Sequence, residues 1–95
     1  MMNLKTKQMV TVKKFSAVWC GPCRALAPVM NEVKTQFSNV IFEDYDVDVA
    51  YDEATKYGVR SVPTVIVEKN GVEVERFTGV SSKMAYINAI NENLK

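Results

Sequence analysis

The chemistry open to this chain is set by Cys20 and Cys23, the only cysteines in 95 positions. With Gly21-Pro22 between them, both sulfurs can lie on one helical turn, within disulfide reach. Two cysteines scattered at random over such a length fall at this spacing in roughly 2% of cases, so the spacing is informative. The chain has no histidine. That removes a Ser-His or Cys-His catalytic pair and any histidine metal ligand. Two thiols also cannot build a multi-disulfide scaffold or a one-chain four-thiolate zinc site. Three uses remain: a redox-active dithiol, a static disulfide, or a metal site to which two chains each give a pair. No further Cys or His supports the metal site, and the redox use is the best supported.

Composition narrows the setting. Twelve Lys+Arg against eleven Asp+Glu leave a net charge of +1, so no overall field draws the chain to nucleic acid or a membrane surface. Lys5, Lys7, Lys13 and Lys14 are too few and too scattered for a nucleic-acid patch. With 47% hydrophobic and 24% charged residues, residues 1–95 are expected to form a single domain with one core. The N-terminus lacks the apolar run of a signal peptide, and no stretch approaches the ~20 apolar residues of a membrane span. The expected compartment is the cytoplasm, where a cysteine pair is more often catalytic or metal-binding than structural.

The elements that must position the pair follow from periodicity. Val10, Val12, Phe15 and Ala17 mark a strand over 9–17. Leu26, Met30, Val33 and Phe37 recur at +4, +3 and +4, one stripe of a helix over about 21–37. Pro22 suits its first turn, and Pro28 should kink it. A second strand is expected over 39–47, then a short helix over 49–57 that stops at Gly58. Asn70-Gly71 between 62–68 and 72–77 is a strong hairpin signal. A last helix should start at Ser81 or Ser82 and carry Met84, Ile87, Ile90 and Leu94 on one face. The order β-α-β-α-β-β-α predicts an α/β fold. Its four-stranded mixed sheet should have helices on both faces, a right-handed parallel crossover and an antiparallel terminal hairpin.

Cys20 then sits where the first strand passes into the first helix. Free N–H groups and the positive end of the helix dipole stabilise a thiolate there. A thiol with pKa ~8.5 is about 3% thiolate at pH 7, and lowering it to ~7 makes that half. Cys23, one turn later, should be more buried. It can attack a mixed disulfide formed at Cys20 and release reduced substrate.

Trp19-Cys20-Gly21-Pro22-Cys23-Arg24, with Ala27-Pro28 behind it, resembles the active site of the thioredoxin family. The resemblance continues through Asp46-Val47-Asp48 and Tyr57-Gly58-Val59-Arg60-Ser61-Val62-Pro63-Thr64. It ends with Lys69-Asn70-Gly71 and Phe77-Thr78-Gly79-Val80, covering residues 10–94 without a large gap. It implies a thioredoxin-like fold and a protein-disulfide reductase, with Cys20 as attacking thiolate and Cys23 as resolving thiol. Pro63 matches the family's cis-proline, a minority state of ~5–6% among X-Pro bonds. Trp19, Gly21, Pro22, Val62, Pro63, Gly79 and Val80 are implied to line the substrate groove. For Trp19 and Tyr57 plain packing competes with a role at the site. The implied partners are disulfide-containing proteins and a thioredoxin reductase or equivalent donor. No metal or organic cofactor is expected, nor nucleic acid or membrane, and the chain is expected to be a monomer.

Two departures from the family pattern stand out. Only about eight residues precede the first strand, so the family's extra first strand and helix should be missing. Thr11, Lys13 and Phe15 would then share a sheet face that lacks a covering helix. Thr11 and Lys13 are polar, as an uncovered face allows, and the short middle helix should cover Phe15. Second, the family's buried aspartate beneath the active site is Lys14 here, and its lysine partner is Asp44, an ion pair with its charges exchanged. A protonated Lys14 about 6 Å from a thiolate contributes roughly 2–3 kcal/mol, enough to lower a thiol pKa by up to ~2 units. A Lys14 that had lost its proton could instead accept the Cys23 proton as general base. The competing expectations are a snorkelling surface lysine, or a one-residue shift that turns Lys13 inward. Ser16 replaces a second family tryptophan and is assigned no role.

Six of the eleven acids, Glu43, Asp44, Asp46, Asp48, Asp52 and Glu53, lie close together. They lack the spacing of a calcium loop and are expected to be solvated strand-end and N-cap residues. Two alternatives to the reductase remain: a glutaredoxin-like protein reduced by glutathione, and a docking subunit that works without turnover.

Overall fold

A computed structural model of the chain describes residues 9–95. The expectations for the first eight positions, including Lys5, Lys7 and the missing strand and helix of the full fold, lie outside the described residues. Strand β1 (Val10–Ser16) is one residue shorter at each end than its pattern. Helix α1 (Gly21–Thr35) follows and runs through Pro28 without ending there. Next come β2 (Ile41–Asp46), the short helix α2 (Tyr51–Lys56), β3 (Thr64–Lys69), β4 (Val72–Thr78) and α3 (Lys83–Asn93).

The sheet order is β2-β1-β3-β4. β1 runs parallel to β2, as a helical connection requires, and antiparallel to β3. β3 and β4 form the expected hairpin. Its turn takes positive φ at Asn70 (54°) and Gly71 (83°), the conformation this dipeptide favours. Gly58 (φ 65°) ends α2 in the same left-handed region.

β1 is hydrogen-bonded on both sides, so its alternation divides the interior. Val10 and Val12 join Leu26, Met30 and Val33 of α1 and Ile87 and Ile90 of α3 in the larger core cluster. Phe15 points the other way, packing with Ala54 of α2 and Ile66 of β3. Ser82 is the N-cap of α3, its Oγ accepting the Ala85 N–H at 3.1 Å. Met84 does not join the buried face of α3 and is exposed. At the helical pitch, Ile87, Ile90 and Leu94 share an arc of about 100° with Tyr86, and Met84 falls outside it. Tyr86 takes the inward place assigned to Met84.

Lys13 corrects a second expectation. It is only 9% exposed, on the face expected to leave it in water. Three carboxylates surround its Nζ: Glu43 at 3.3 Å, Glu53 at 3.6 Å and Glu68 at 4.0 Å. The rings of Tyr57 and Tyr45 lie 5.0 and 5.4 Å from the ammonium, a favourable cation–π distance. Burial alone would lower the Lys13 pKa. Contacts with Tyr57, Tyr45 and Glu43 and the charge of Glu68 outweigh it and hold the ammonium above its ordinary range. Tyr57 in turn donates a short hydrogen bond to Glu68. The lower half of this face is thus closed by a charged network rather than by apolar packing. The acidic run is not simply solvated either: Glu43 and Glu53 turn toward Lys13, and Asp44 pairs with Lys14.

The network has measurable consequences. Lys13→Met should cost about 3 kcal/mol in a denaturant titration, because it leaves the buried Glu68 carboxylate without its cation. Lys13→Met combined with Glu68→Met should recover most of that loss. The pH profile follows from the shifts. The hydrogen bond from Tyr45, then Lys13, holds Glu43 below its ordinary 4.5. Its contribution is therefore present above that value and lost as pH falls through the lower folded value. Lys13 shifts upward, so its contribution is complete below 10.5 and lost only as pH rises beyond that. The thermal midpoint should be flat from about pH 5 to about pH 9.5 and fall on the acid side, less steeply in Glu43→Gln.

Candidate functional site

The junction of β1 and α1 brings the two cysteines together. Cys20 is the N-cap of α1, with extended backbone (φ −92°, ψ 112°), and its Sγ accepts the backbone N–H of Cys23 at 3.2 Å. Pro22 lies in the first turn, and no acidic side chain lies there to offset the positive helix end. Cys20 and Cys23 are disulfide-bonded, with Cα atoms 5.3 Å apart. A serine or aspartate oxygen usually accepts this N–H at a helix start. Here a sulfur does, so the geometry that caps the helix also stabilises negative charge on Cys20.

Burial does not rank the two cysteine residues as expected. Cys20 is 4% exposed and Cys23 7%, so both are buried and Cys23 is not the deeper. The two sit in a small apolar cluster with Ala17, flanked by Val47 and Val62. Gly21 and Pro22, between them, are exposed.

Beside the disulfide the Val62-Pro63 bond is cis. Gly79, at φ 87°, donates its N–H to the Pro63 carbonyl at 2.8 Å, joining the loop after β4 to the proline loop. A shallow groove there is lined by Trp19, Val47, Val59, Arg60, Ser61 and Val62. Trp19 is 64% exposed, which rules out core packing. Its indole N–H donates to Asp48 Oδ2 at 2.8 Å, and Val80 stands exposed beyond Gly79. Val62 is the groove residue that packs against the cysteines, Trp19 lines the same groove, and Gly79 is joined to the proline loop through Pro63, so three separate loops meet in this region. Tyr57 is not among these residues and belongs to the Lys13 network.

Lys14 lies on the opposite sheet face from Lys13. It lines an open depression with Ser16, Ala17, Cys23, Arg24 and Asp46. Its Nζ is 3.7 Å from Asp44 Oδ1, so the exchanged ion pair is made. The Asp44 side chain is largely in water and does not line the depression. Asp46 and Arg24 do line it, and the sequence pattern assigns neither a role. Asp46 stands opposite Ser16 in the β1–β2 register, a neighbour that sequence spacing does not reveal. Arg24 Nη2 donates to the Val18 carbonyl at 2.9 Å, tying the first turn of α1 to the preceding loop. Among the described residues no group of three or more His, Cys, Asp or Glu is placed to hold a metal ion.

Comparison with known proteins agrees with this geometry. A family model described as Thioredoxin matches residues 2–92. The chain is 37% identical over 93 residues to the thioredoxin of Bacillus subtilis (strain 168), across 97% of this chain and 89% of that protein. It is 39% identical over 79 residues to the thioredoxin of Chlamydia caviae, across 83% and 78%. Among solved structures, thioredoxin NaTrxh from Nicotiana alata superposes with a TM-score of 0.87 at 35% identity, across 96% of this chain and 78% of that one. Sequence and fold agree over nearly the same span, and the paired sulfurs lie inside it: this chain belongs to the thioredoxin family and is a disulfide reductase of the thioredoxin type.

Proposed function

We propose that the chain reduces disulfides in proteins through the Cys20–Cys23 dithiol and is itself reduced by a thioredoxin reductase or an equivalent donor. The observation that carries this reading is the bonded cysteine pair at the head of α1, with the Cys23 N–H on the Cys20 sulfur. In the reduced protein the Cys20 thiolate attacks one sulfur of a substrate disulfide. A Cys20–substrate bond forms, the substrate S–S bond breaks, and one substrate sulfur leaves as thiolate. Cys23, deprotonated, then attacks the Cys20 sulfur and expels the second substrate thiolate. Two electrons pass to the substrate, and Cys20–Cys23 is left in the disulfide form seen in the structure. The substrate's extended segment docks over Trp19, Gly21, Pro22, Val62, Pro63, Gly79 and Val80, beside the proline loop that carries the cis bond.

Lys14 assists the second attack. It shares a depression with Cys23, and its positive charge favours the thiolate there. Asp44, at 3.7 Å, orients the ammonium and offsets part of its field. The setting is the cytoplasm, where such a dithiol is kept reduced and serves electron transport and redox homeostasis. Among the described residues no helix is long and apolar enough to cross a membrane. The chain acts as a monomer without metal or organic cofactor, and its partners are proteins rather than nucleic acid.

Dithiothreitol-driven reduction of insulin disulfides tests the reading. Cys20→Ser should abolish turnover, and Cys23→Ser should accumulate a mixed disulfide with substrate at Cys20, visible by mass spectrometry. Full turnover by Cys20→Ser would sink the catalytic assignment. For Lys14, the Met variant should raise the Cys23 pKa by about one unit and slow the resolving step at neutral pH. The Asp variant should raise it further. Unchanged pKa values and rates in both variants would remove Lys14 from the mechanism.

A further inference from the structure

Tyr86 is the largest fully buried side chain among the described residues, with 0% exposure. Its ring packs edge-on against Phe77 near the end of β4, centroids 4.8 Å apart and planes at 64°. A buried phenol needs a partner for its hydroxyl. Here the hydroxyl oxygen accepts the backbone N–H of Ser81 at 2.8 Å. The neighbouring inward residues of α3, Ile87 and Ile90, meet the core with apolar bulk alone. The Tyr86 hydroxyl is therefore an addition to the core pattern, and it is spent on a loop.

That loop is hydrogen-bonded to the proline loop, whose Val62 packs against the two cysteines. Gly79 is tied to the Pro63 carbonyl at 2.8 Å, and Ser82 is fixed as the N-cap of α3. Ser81, between them, is held by Tyr86. Val80 is 47% exposed and stands between two pinned neighbours, one bound to the proline loop and one to the core. Tyr86 packs in the larger cluster, apart from the cluster that contains the two sulfurs.

We propose that Tyr86 is a positioning residue for substrate docking, its hydroxyl fixing the Gly79–Ser81 wall of the groove before a protein substrate arrives. The proposal rests on the reading that this wall takes part in docking. A preformed wall spares the complex the entropy of ordering the loop. Tyr86→Phe keeps the ring and its packing and removes the one acceptor, so Ser81 loses its tether and Val80 samples more positions. The cost falls on binding and not on sulfur chemistry, which Tyr86 does not touch.

The test is steady-state reduction of insulin by dithiothreitol with insulin varied. Tyr86→Phe should raise the KM for insulin about threefold to tenfold, the worth of one neutral hydrogen bond, with kcat retained. KM does not depend on the fraction of the sample that is folded, so a loss of stability cannot imitate the result. Hydrogen exchange at the Ser81 amide should quicken in the same variant. Val80→Asp, which damages the wall directly, separates two kinds of failure. A raised KM in Val80→Asp with an unchanged KM in Tyr86→Phe overturns the Tyr86 proposal and leaves the docking reading standing. An unchanged KM in Val80→Asp overturns the docking reading and the proposal with it.

Discussion

The pairing of β1 on both of its edges is the constraint on which the rest of the molecule depends. With β2 parallel on one side and β3 antiparallel on the other, the strand cannot slip by one residue without turning every side chain to the opposite face. Val10 and Val12 are thereby committed to α1 and α3, and Phe15 to α2. Two adjacent lysines are sent in opposite directions, Lys13 into a ring of carboxylates and Lys14 toward the depression beside Cys23. The strand's end also aims the chain into α1, so the sulfur of Cys20 arrives where a helix lacks acceptors for its first N–H groups.

The reactive centre is therefore built mainly from backbone. A carbonyl at Pro63, an amide at Gly79 and the amide of Cys23 hold the loops and the sulfur. Side chains add apolar surface around them. This accounts for a catalyst without histidine: helix N–H groups supply the stabilisation of negative charge that an imidazolium supplies elsewhere. It also explains how so short a chain can carry the chemistry, since backbone groups come with every residue and need no extra core to support them.

Features that depend on neighbours along the chain are legible from the residues alone. The Cys20–Cys23 spacing, the Asn70-Gly71 turn, the α1 stripe and the Ser82 cap are all local, and each lies where its residues predict. The resemblance to a family supplies the cis bond at Pro63, which local pattern does not carry. What stays hidden is set by register. Glu68 meets Lys13 only because β3 lies beside β1, and no spacing within either strand announces that pairing. A polar Lys13 therefore reads as a residue in water. Tyr86 is hidden for a different reason, since in a helical pattern it reads as amphipathic and its partner is a backbone amide. Met84 is misplaced by its spacing because a +3, +3, +4 series fits a helix face only approximately at 3.6 residues per turn.

The position of β2 at the border of the described sheet has a colloidal consequence. A border strand offers a row of open amides and carbonyls to any passing strand, including the same strand of another molecule. On β2 that row carries Glu43, Asp44 and Asp46 in a run of six residues, and Asp44 keeps most of its carboxylate in water. Two such borders meeting edge to edge would set like charges against each other at close range. Glu43 and Asp44, which pair with Lys13 and Lys14 within one molecule, thus also weigh against edge-to-edge pairing at a border that is open among the described residues.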